Sequence, residues 1–190
     1  MKKVNIIQEK EVFNDHYQIF EVELTYEKFN GQLSPVNRKL FFERGNSTAA
    51  VIFNKTTQRL LFINQFRLPA YERGEGWITE LVAGVIDANE SSESAIIREI
   101  EEEIGYQIEK PAFITSFFAS PGGSTEKIDL FYVEVTSDQH QFKGGGLESE
   151  GEDIQLIELT LTEALEKIKN QEICDAKTII GILWFREKGF

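Results

Sequence analysis

The chain has 190 residues, 41% of them hydrophobic and fifteen of them Phe, which suits one full-sized domain or one domain with a small appendage. Its net charge of −12, with no basic stripe along the sequence, argues against a nucleic-acid backbone as partner. The single cysteine, Cys174, excludes an intrachain disulfide and favours a cytoplasmic location, and no apolar run approaches the roughly 20 residues of a membrane span.

Residues 1–45 are predicted to form a small antiparallel sheet. Apolar and acidic residues alternate from His16 to Phe29, the pattern of a strand with one buried face. Val4–Phe13 and Arg38–Phe42 supply two further strands, and Asn30-Gly31 is a hairpin turn signal. A sheet this small cannot bury its own face, so we expect it to pair with a second copy of the chain in a homodimer.

Residues 46–190 are predicted to form the main domain, in which strands outnumber helices. Helices are expected from Ser91 or Ser92 onward, at Thr162–Asn170 and at Asp175–Lys188, the last with Asp175 as its N-cap. Because the strands do not alternate regularly with helices, the fold class is α+β with a mixed sheet rather than a doubly wound parallel sheet. The predicted strands of this region span residues 49–54, 59–66, 77–86, 112–119, 128–136 and 154–160.

The most informative stretch runs from Glu90 to Glu103, where fourteen positions hold six acidic residues and one basic residue. Read as a helix, it places Glu99, Glu102 and Glu103 on one arc beside an apolar face. Like charges at this spacing repel by roughly a few tenths of a kcal/mol, and an ordinary solvated helix would alternate the signs of its charges. A bound divalent cation compensates for the repulsion, and oxygen-only ligands suit Mg²⁺ or Mn²⁺ rather than zinc.

The spacing around this stretch resembles the Nudix box. The resemblance implies the Nudix fold, a mixed β-sheet sandwiched between helices, and a hydrolase that acts on phosphoanhydride bonds with Mg²⁺ or Mn²⁺. The last position of the motif prefers an aliphatic residue and here holds Tyr106. The fixed positions are all present, in the order Gly84, five residues, Glu90, seven residues, Arg98-Glu99-Ile100, one residue, Glu102-Glu103, one residue, Gly105.

The same resemblance implies roles for residues of the box. Glu99 and Glu103 would be direct metal ligands, with Glu102 as a further ligand or a bridge between two metals. The backbone carbonyl of Ala83 would join the metal shell. Arg98 and Glu90 would orient the helix and the loop for catalysis, although for Arg98 an ordinary surface ion pair with one of the acids is the alternative.

A second acidic segment follows three consecutive glycines, Gly144–Gly146. On its own, such a run of charge is typical of a mobile solvated loop. In the sugar-nucleotide branch of the Nudix family, however, a Glu-x-Glu-Asp segment on a mobile loop closes over the metals, and Glu150-Gly151-Glu152-Asp153 resembles it. Glu152 then becomes a metal ligand and Glu150 the catalytic base, with Glu148 as an alternative base, and the glycines would let the loop swing.

Further segments resemble the same branch. Gln65-Phe66-Arg67 is similar to its phosphate-contacting strand end, and Ser120-Pro121-Gly122-Gly123 with Thr125-Glu126 is similar to its loop after the box. Without the resemblance, these residues would form a turn and a strand end with a snorkelling arginine. The implied substrate-binding residues are Arg44, Gln65, Arg67, Ser120, Gly122 and Glu126.

The sequence therefore predicts a Mg²⁺-dependent enzyme that hydrolyses the pyrophosphate bond of a nucleoside diphosphate sugar. GDP-mannose, cut to GMP and mannose 1-phosphate, is the first choice, and ADP-ribose, cut to AMP and ribose 5-phosphate, is the runner-up. A non-catalytic Nudix domain that senses a nucleotide is the alternative of a different class. The branch also implies a homodimer in which the N-terminal strands cross to the partner; no nucleic acid or membrane is expected to bind.

Overall fold

The structure, a computed structural model, describes residues 2–15 and 17–189. His16, where the second strand is predicted to begin, lies outside the described residues. The chain forms two compact units. The first holds the residues up to Asn46 together with Phe118–Lys127, and the second holds Ser47–Phe117 and the residues from Ile128 onward.

The first unit contains a three-stranded antiparallel sheet in the order β1 (Val4–Asn14), β2 (Gln18–Tyr26) and β3 (Asn37–Glu43). Every residue of β1 is exposed, whereas Val22 of the central strand β2 is buried. The predicted small N-terminal antiparallel sheet is confirmed. Strand β1 is an edge strand of this sheet, with β2 as its neighbour.

The second unit is built on a mixed seven-stranded sheet with the order β10-β5-β4-β9-β8, in which β6 pairs with β5 and β7 pairs with β4. The pairing of β4 with β9 is parallel, whereas β4 pairs antiparallel with both β5 and β7. The strands are β4 (Ser47–Asn54), β5 (Arg59–Phe66), β6 (Trp77–Glu80), β7 (Val82–Val85), β8 (Ala112–Phe118), β9 (Lys127–Val135) and β10 (Gln155–Leu159).

Side chains alternate between the two faces of this sheet and so build two cores. The face that carries Ile52 packs against α2 through Ile100, while the opposite face carries Val51 and packs against α3 and α4 through Ala164 and Phe185. The sheet is therefore sandwiched between helices, and the predicted α+β class is confirmed. The helices are α1 (Leu68–Tyr71), α2 (Ser92–Ile104), α3 (Leu161–Lys169) and α4 (Ala176–Lys188).

Two differences from the sequence prediction can be traced to specific contacts. Helix α3 is capped by Thr160, whose hydroxyl accepts from the amide of Glu163 while the Glu163 carboxylate accepts from the Thr160 amide, a capping box. Residues 77–86 form two strands, β6 and β7, which pair with different neighbours. Between them the Leu81 amide donates to Thr178 Oγ1 of α4 (2.8 Å). Among the helices of residues 2–15 and 17–189, none is long and apolar enough to span a membrane.

Candidate active site

Both ends of α2 are fixed by local contacts. At its start, Ser91 Oγ accepts from the Ser94 amide (3.1 Å), the usual arrangement of an N-cap serine. At its end, Gly105 adopts a left-handed conformation with φ of 72° and donates its amide to the Glu101 carbonyl (3.0 Å). The carboxylates that α2 carries are therefore presented from a helix with a defined register.

The glycines Gly144–Gly146 fasten the second acidic segment to the end of α2. The Gly145 amide donates to the Glu103 carbonyl (2.9 Å), and the Gly146 amide donates to the Glu102 carbonyl (3.0 Å). All three glycines have positive φ, and a Cβ on Gly144 would lie 2.8 Å from the carbonyl carbon of Ile104. This tract is an anchor in the structure, which differs from the expectation that it would act as a hinge.

Arg98 joins the loop before α2 to the carboxylates on it. Its Nε and one terminal nitrogen bind both oxygens of Glu90 (3.2 and 3.1 Å), and its other terminal nitrogen binds Glu99 Oε1 (2.8 Å) and Glu102 Oε2 (3.0 Å). The Val85 carbonyl accepts a further bond (3.3 Å). The hydrogen bonds to Glu90 raise the pKa of Arg98 and lower the pKa of Glu90. This geometry suits the predicted orienting role.

Glu99 lies directly against β7. A Cβ on Gly84 would sit 1.8 Å from Glu99 Oε1, so only glycine at this position leaves room for the carboxylate. Burial raises the pKa of Glu99 to about 7, and the charges of Glu102 and Glu152 act in the same direction against the opposing effect of Arg98. The close approach of Glu99 thus explains why glycine occupies the first position of the Nudix motif in this chain.

Glu103 is the most deeply buried of these carboxylates. Its side chain is 2% exposed, and its Oε2 accepts from the amide of Ala83 in β7 (3.3 Å). Burial, followed by repulsion from Glu99 and Glu152, raises the pKa of Glu103 well above its ordinary value. Ala83 therefore lies beside Glu103, and the contact is made by its amide, whereas the resemblance implies a metal contact of its carbonyl.

Glu152, in the second acidic segment, acts electrostatically on Glu99 and Glu103 of α2. Together with Glu102, these three carboxylates form the acidic cluster. Its Oε2 accepts from the Leu147 amide (3.0 Å), and its Oε1 lies 3.5 Å from Gln65 Nε2 of β5. The other amide atom of Gln65, Oε1, is buried and has no hydrogen-bond partner among the described residues. A buried acceptor without a donor is costly, so this oxygen marks a place where a polar ligand or water would be stabilised.

Arg67 follows β5 and binds a buried carboxylate, Glu80. Its Nε donates to Glu80 Oε1 (2.7 Å), and Glu80 also binds Lys177 at the start of α4. Burial lowers the pKa of Arg67, but the charge of Glu80, with smaller effects of Glu103 and Glu152, raises it overall. The structure thus places Gln65 beside Glu152 and Arg67 within electrostatic reach of Glu103 and Glu152.

The predicted base lies at the rim of this region. Glu148 and Glu150 are both exposed in a short 3₁₀ turn, Glu148–Glu150. A cleft of about 680 Å³ is lined by Glu103, Glu148 and Glu152, whereas Glu150 is not part of the lining that the described residues form. Of the two candidate bases, Glu148 is the one that lines this cleft, whose lining does not include Glu99, Glu102 or Arg67.

The remaining predicted substrate residues belong to the first unit. Arg44 Nε lies 3.8 Å from Glu126 Oε1, and its guanidinium carbon lies 5.6 Å from the centre of the Tyr17 ring. Ser120 accepts at its carbonyl from the amides of Gly123 (3.1 Å) and Ser124 (3.0 Å), which makes a tight turn. A Cβ at Gly122 in the same turn would meet nothing within 4 Å.

Comparison with known proteins assigns the family. The NUDIX domain family matches residues 43–179 of the chain. The chain belongs to the Nudix family. This Nudix chain is 36% identical over 183 residues to a GDP-mannose pyrophosphatase of Citrobacter koseri, covering 94% of this chain and 93% of that protein. A GDP-mannose pyrophosphatase of Enterobacter sp. is 32% identical over 191 residues, covering 98% and 97%.

A crystal structure of an ADP compounds hydrolase superposes on this Nudix chain with a TM-score of 0.73. The match covers 98% of this chain and 96% of that one at 18% identity, so it shows a shared fold. The predicted Nudix fold is confirmed. The prediction of a Nudix hydrolase that acts on phosphoanhydride bonds is likewise confirmed by the family and by its relatives.

Nudix hydrolases generally use a divalent metal such as Mg²⁺, and the donor set here suits one. Glu99, Glu102, Glu103 and Glu152 offer oxygen ligands only, and burial, followed by repulsion among them, raises the pKa values of Glu99 and Glu103. In residues 2–15 and 17–189, no group of three or more His, Cys, Asp or Glu side chains is arranged to hold a metal ion. Two of these carboxylates, those of Glu99 and Glu102, are hydrogen-bonded to Arg98.

Sequence reasoning missed the pair Glu80 and Lys177. Glu80 is 3% exposed and interrupts an otherwise apolar strand, which is a signal that the sequence does contain. Its two cationic partners lie 13 and 97 positions away along the chain. No periodicity could have indicated that these three side chains meet.

Proposed function

We propose that this Nudix hydrolase cuts the pyrophosphate bond of a nucleoside diphosphate sugar in a Mg²⁺-dependent reaction. GDP-mannose is the first choice, with GMP and mannose 1-phosphate as products. The observation that carries the proposal is a cluster of three carboxylates, Glu103 buried and Glu99 and Glu152 half-buried, within electrostatic reach of the Arg67 guanidinium. The names of the two curated relatives support the choice of GDP-mannose.

The carboxylates divide by how rigidly they are held. Glu99 and Glu103 project from the capped helix α2, and with Glu102, Glu152 and the Ala83 carbonyl they are the proposed metal ligands. A bound Mg²⁺ neutralises charge on the diphosphate and makes a water molecule more acidic. Arg98, through its bonds to the helix carboxylates, holds their orientation before substrate arrives.

A loop carboxylate is proposed to take the proton from the attacking water. Glu150 is the candidate that the family resemblance supports, and Glu148 is the alternative that the lining of the cleft supports. Both are exposed, so either can reach a substrate only by a movement of the segment beyond the glycine anchor. A general base of this kind contributes roughly 10²- to 10⁴-fold to kcat.

Arg67 and Gln65 are proposed to bind the diphosphate. The protein carries a net charge of −12, so it must hold an anionic substrate by cations placed locally. Arg67 supplies such a cation beside the carboxylates, and the unpartnered Gln65 Oε1 can accept from a water or hydroxyl. Resemblance to the same branch supports four further substrate contacts in the first unit: Arg44, Ser120, Gly122 and Glu126.

We also propose a cytoplasmic homodimer that forms through the first unit. Strand β1 exposes five large apolar side chains, which would otherwise face water. Sedimentation at micromolar concentration should give a dimer, and a chain that begins at Gly45 should lose both the dimer and most of its activity. A monomeric wild type, or a fully active truncated chain, would contradict this. The exposed side chains are Val4, Ile6, Ile7, Val12 and Phe13.

A hydrolysis panel tests the proposed function. Wild-type protein with Mg²⁺ is given GDP-mannose, ADP-ribose, UDP-glucose and a diadenosine polyphosphate, and the products are separated by chromatography. We expect GMP and mannose 1-phosphate to form with the highest kcat/KM. The shared fold with an ADP compounds hydrolase makes ADP-ribose the second candidate. Tight, saturable binding of intact GDP-mannose without turnover would instead support a nucleotide sensor.

A further inference from the structure

Glu80 is a buried carboxylate that lies between two cations. It closes strand β6, is 3% exposed, and accepts from Arg67 Nε (2.7 Å) with one oxygen and from Lys177 with the other. Lys177 in turn lies 3.2 Å from Asp175, the N-cap of α4. Two acids and two bases thus balance in one network, which is what a buried charge requires.

Glu80 binds Arg67 at Nε and leaves the two terminal nitrogens of the guanidinium free. Only Nε is bonded to the carboxylate, and the two terminal nitrogens of Arg67 have no hydrogen-bond partner among the described residues. Those terminal nitrogens are the ones that grip a phosphate in a bidentate manner. Because the guanidinium is fixed at Nε, its two terminal nitrogens point away from Glu80 and are already arranged to bind a phosphate.

Arg67 also has competing partners within electrostatic reach. The charges of Glu103 and Glu152 both act on it, more weakly than the charge of Glu80. Without Glu80, the guanidinium would be drawn to these two carboxylates, which are needed elsewhere. Because Glu80 acts on Arg67 more strongly than these two carboxylates do, it keeps Arg67 available to substrate.

We propose that Glu80 is a positioning residue for substrate: it holds Arg67 by Nε, away from the carboxylates of the acidic cluster, so that both terminal nitrogens meet the diphosphate. This rests on the proposed function, because it takes a diphosphate as the ligand of Arg67. Lys177 completes the arrangement by binding the second oxygen of Glu80, which holds that carboxylate in place. Glu80 itself touches neither the substrate nor the reacting atoms.

A double-mutant cycle with Arg67→Ala and Glu80→Gln tests the proposal. Glu80→Gln keeps the shape of the side chain and removes its charge, and we expect it to raise KM for GDP-mannose by up to about 100-fold with a smaller change in kcat. In the Arg67→Ala background the same substitution should change kcat/KM by less than about twofold, since its target is already gone. Glu75→Gln, which removes one charge from an exposed site nearby, is the control.

Three results would overturn the proposal. Fold-changes that multiply in the double variant would mean that Glu80 acts independently of Arg67. A fall in the melting temperature of Glu80→Gln with KM unchanged would mean that Glu80 only stabilises the fold. Equal effects of Glu75→Gln and Glu80→Gln on KM would mean that the change in KM comes from the loss of one negative charge and not from the position of Glu80.

The same double-mutant cycle can also be measured by ligand binding, without turnover. The dissociation constant of GDP, measured by calorimetry with Mg²⁺ in all four proteins, should show the same non-additivity. If the wild type binds GDP but does not cut GDP-mannose, the proposed reaction fails while the role of Glu80 is still tested. If GDP binding is equally tight in all four proteins, the role of Glu80 fails whatever the substrate is.

Discussion

Replacing Gly84 by alanine is expected to dislodge Glu99 from its place against β7. A Cβ at this position would lie 1.8 Å from Glu99 Oε1 and 2.0 Å from its Cδ, far inside van der Waals contact. The atoms in the way belong to the end of a flexible side chain rather than to backbone. The strand should therefore persist in Gly84→Ala, and the carboxylate of Glu99 should move.

The cost to stability is small and the cost to metal binding is large. Moving Glu99 breaks its bond to Arg98 (2.8 Å), and because the Arg98 side chain is 32% exposed, solvent screening limits the loss to about 1 kcal/mol. For a domain of this size, that lowers the melting temperature by about 2–4 °C. Disturbing a metal shell typically weakens metal affinity by about 10- to 100-fold, and displacing a ligand should do at least as much.

The assay is a Mg²⁺ titration of GDP-mannose hydrolysis, paired with a melting curve for each variant. Gly181→Ala is the matched control, because its Cβ would lie 2.7 Å from Val51 Cγ2 in the core, on the sheet face away from α2. Overpacking there should cost about 1–3 kcal/mol and leave the Mg²⁺ requirement unchanged. If Gly84→Ala keeps the wild-type Mg²⁺ requirement, Glu99 is not a metal ligand.

Three further outcomes are expected. Glu150→Gln or Glu148→Gln should lower kcat by roughly 10²- to 10⁴-fold at unchanged Mg²⁺ affinity, and full activity in both variants would remove the loop base from the mechanism. Gly144→Ala should lower both melting temperature and Mg²⁺ affinity because its Cβ meets the backbone of α2, whereas Gly151→Ala, with nothing within 4 Å, should affect Mg²⁺ affinity little. Asn54→Ala should cost about 1–3 kcal/mol by removing the acceptor of two turn amides, and an unchanged melting temperature would contradict this.

Features that depend on neighbouring residues are predictable from the sequence. The start of α2 follows from Ser91 as a capping residue, and the apolar and acidic faces follow from the helical period. The Nudix box is also a local pattern, since all its fixed positions fall between Gly84 and Gly105, and its spacing alone indicates the family. The predicted start of α3 lies one residue late, although Thr160 and Glu163 carry the spacing of a capping box.

Features that depend on distant residues are not predictable in the same way. The strand from residue 77 to 86 is divided because the Leu81 amide meets Thr178, which lies 97 positions further along the chain. The glycine tract acts as an anchor because its amides meet the last carbonyls of α2, a contact that no local pattern encodes. The same holds for Glu80, whose function depends on where Arg67 and Lys177 lie.

The central claim is that the carboxylates of α2 form the metal centre, and direct Mn²⁺ binding tests it most simply. Free Mn²⁺ is titrated against the wild type, Glu103→Gln and Glu101→Gln, and the bound fraction is read from the loss of the aqueous EPR signal. Glu103 is buried beside Ala83, whereas Glu101 is exposed on the same helix. The account predicts that Glu103→Gln weakens Mn²⁺ binding by at least about 10-fold and that Glu101→Gln leaves it unchanged. Equal affinities in all three proteins would contradict it.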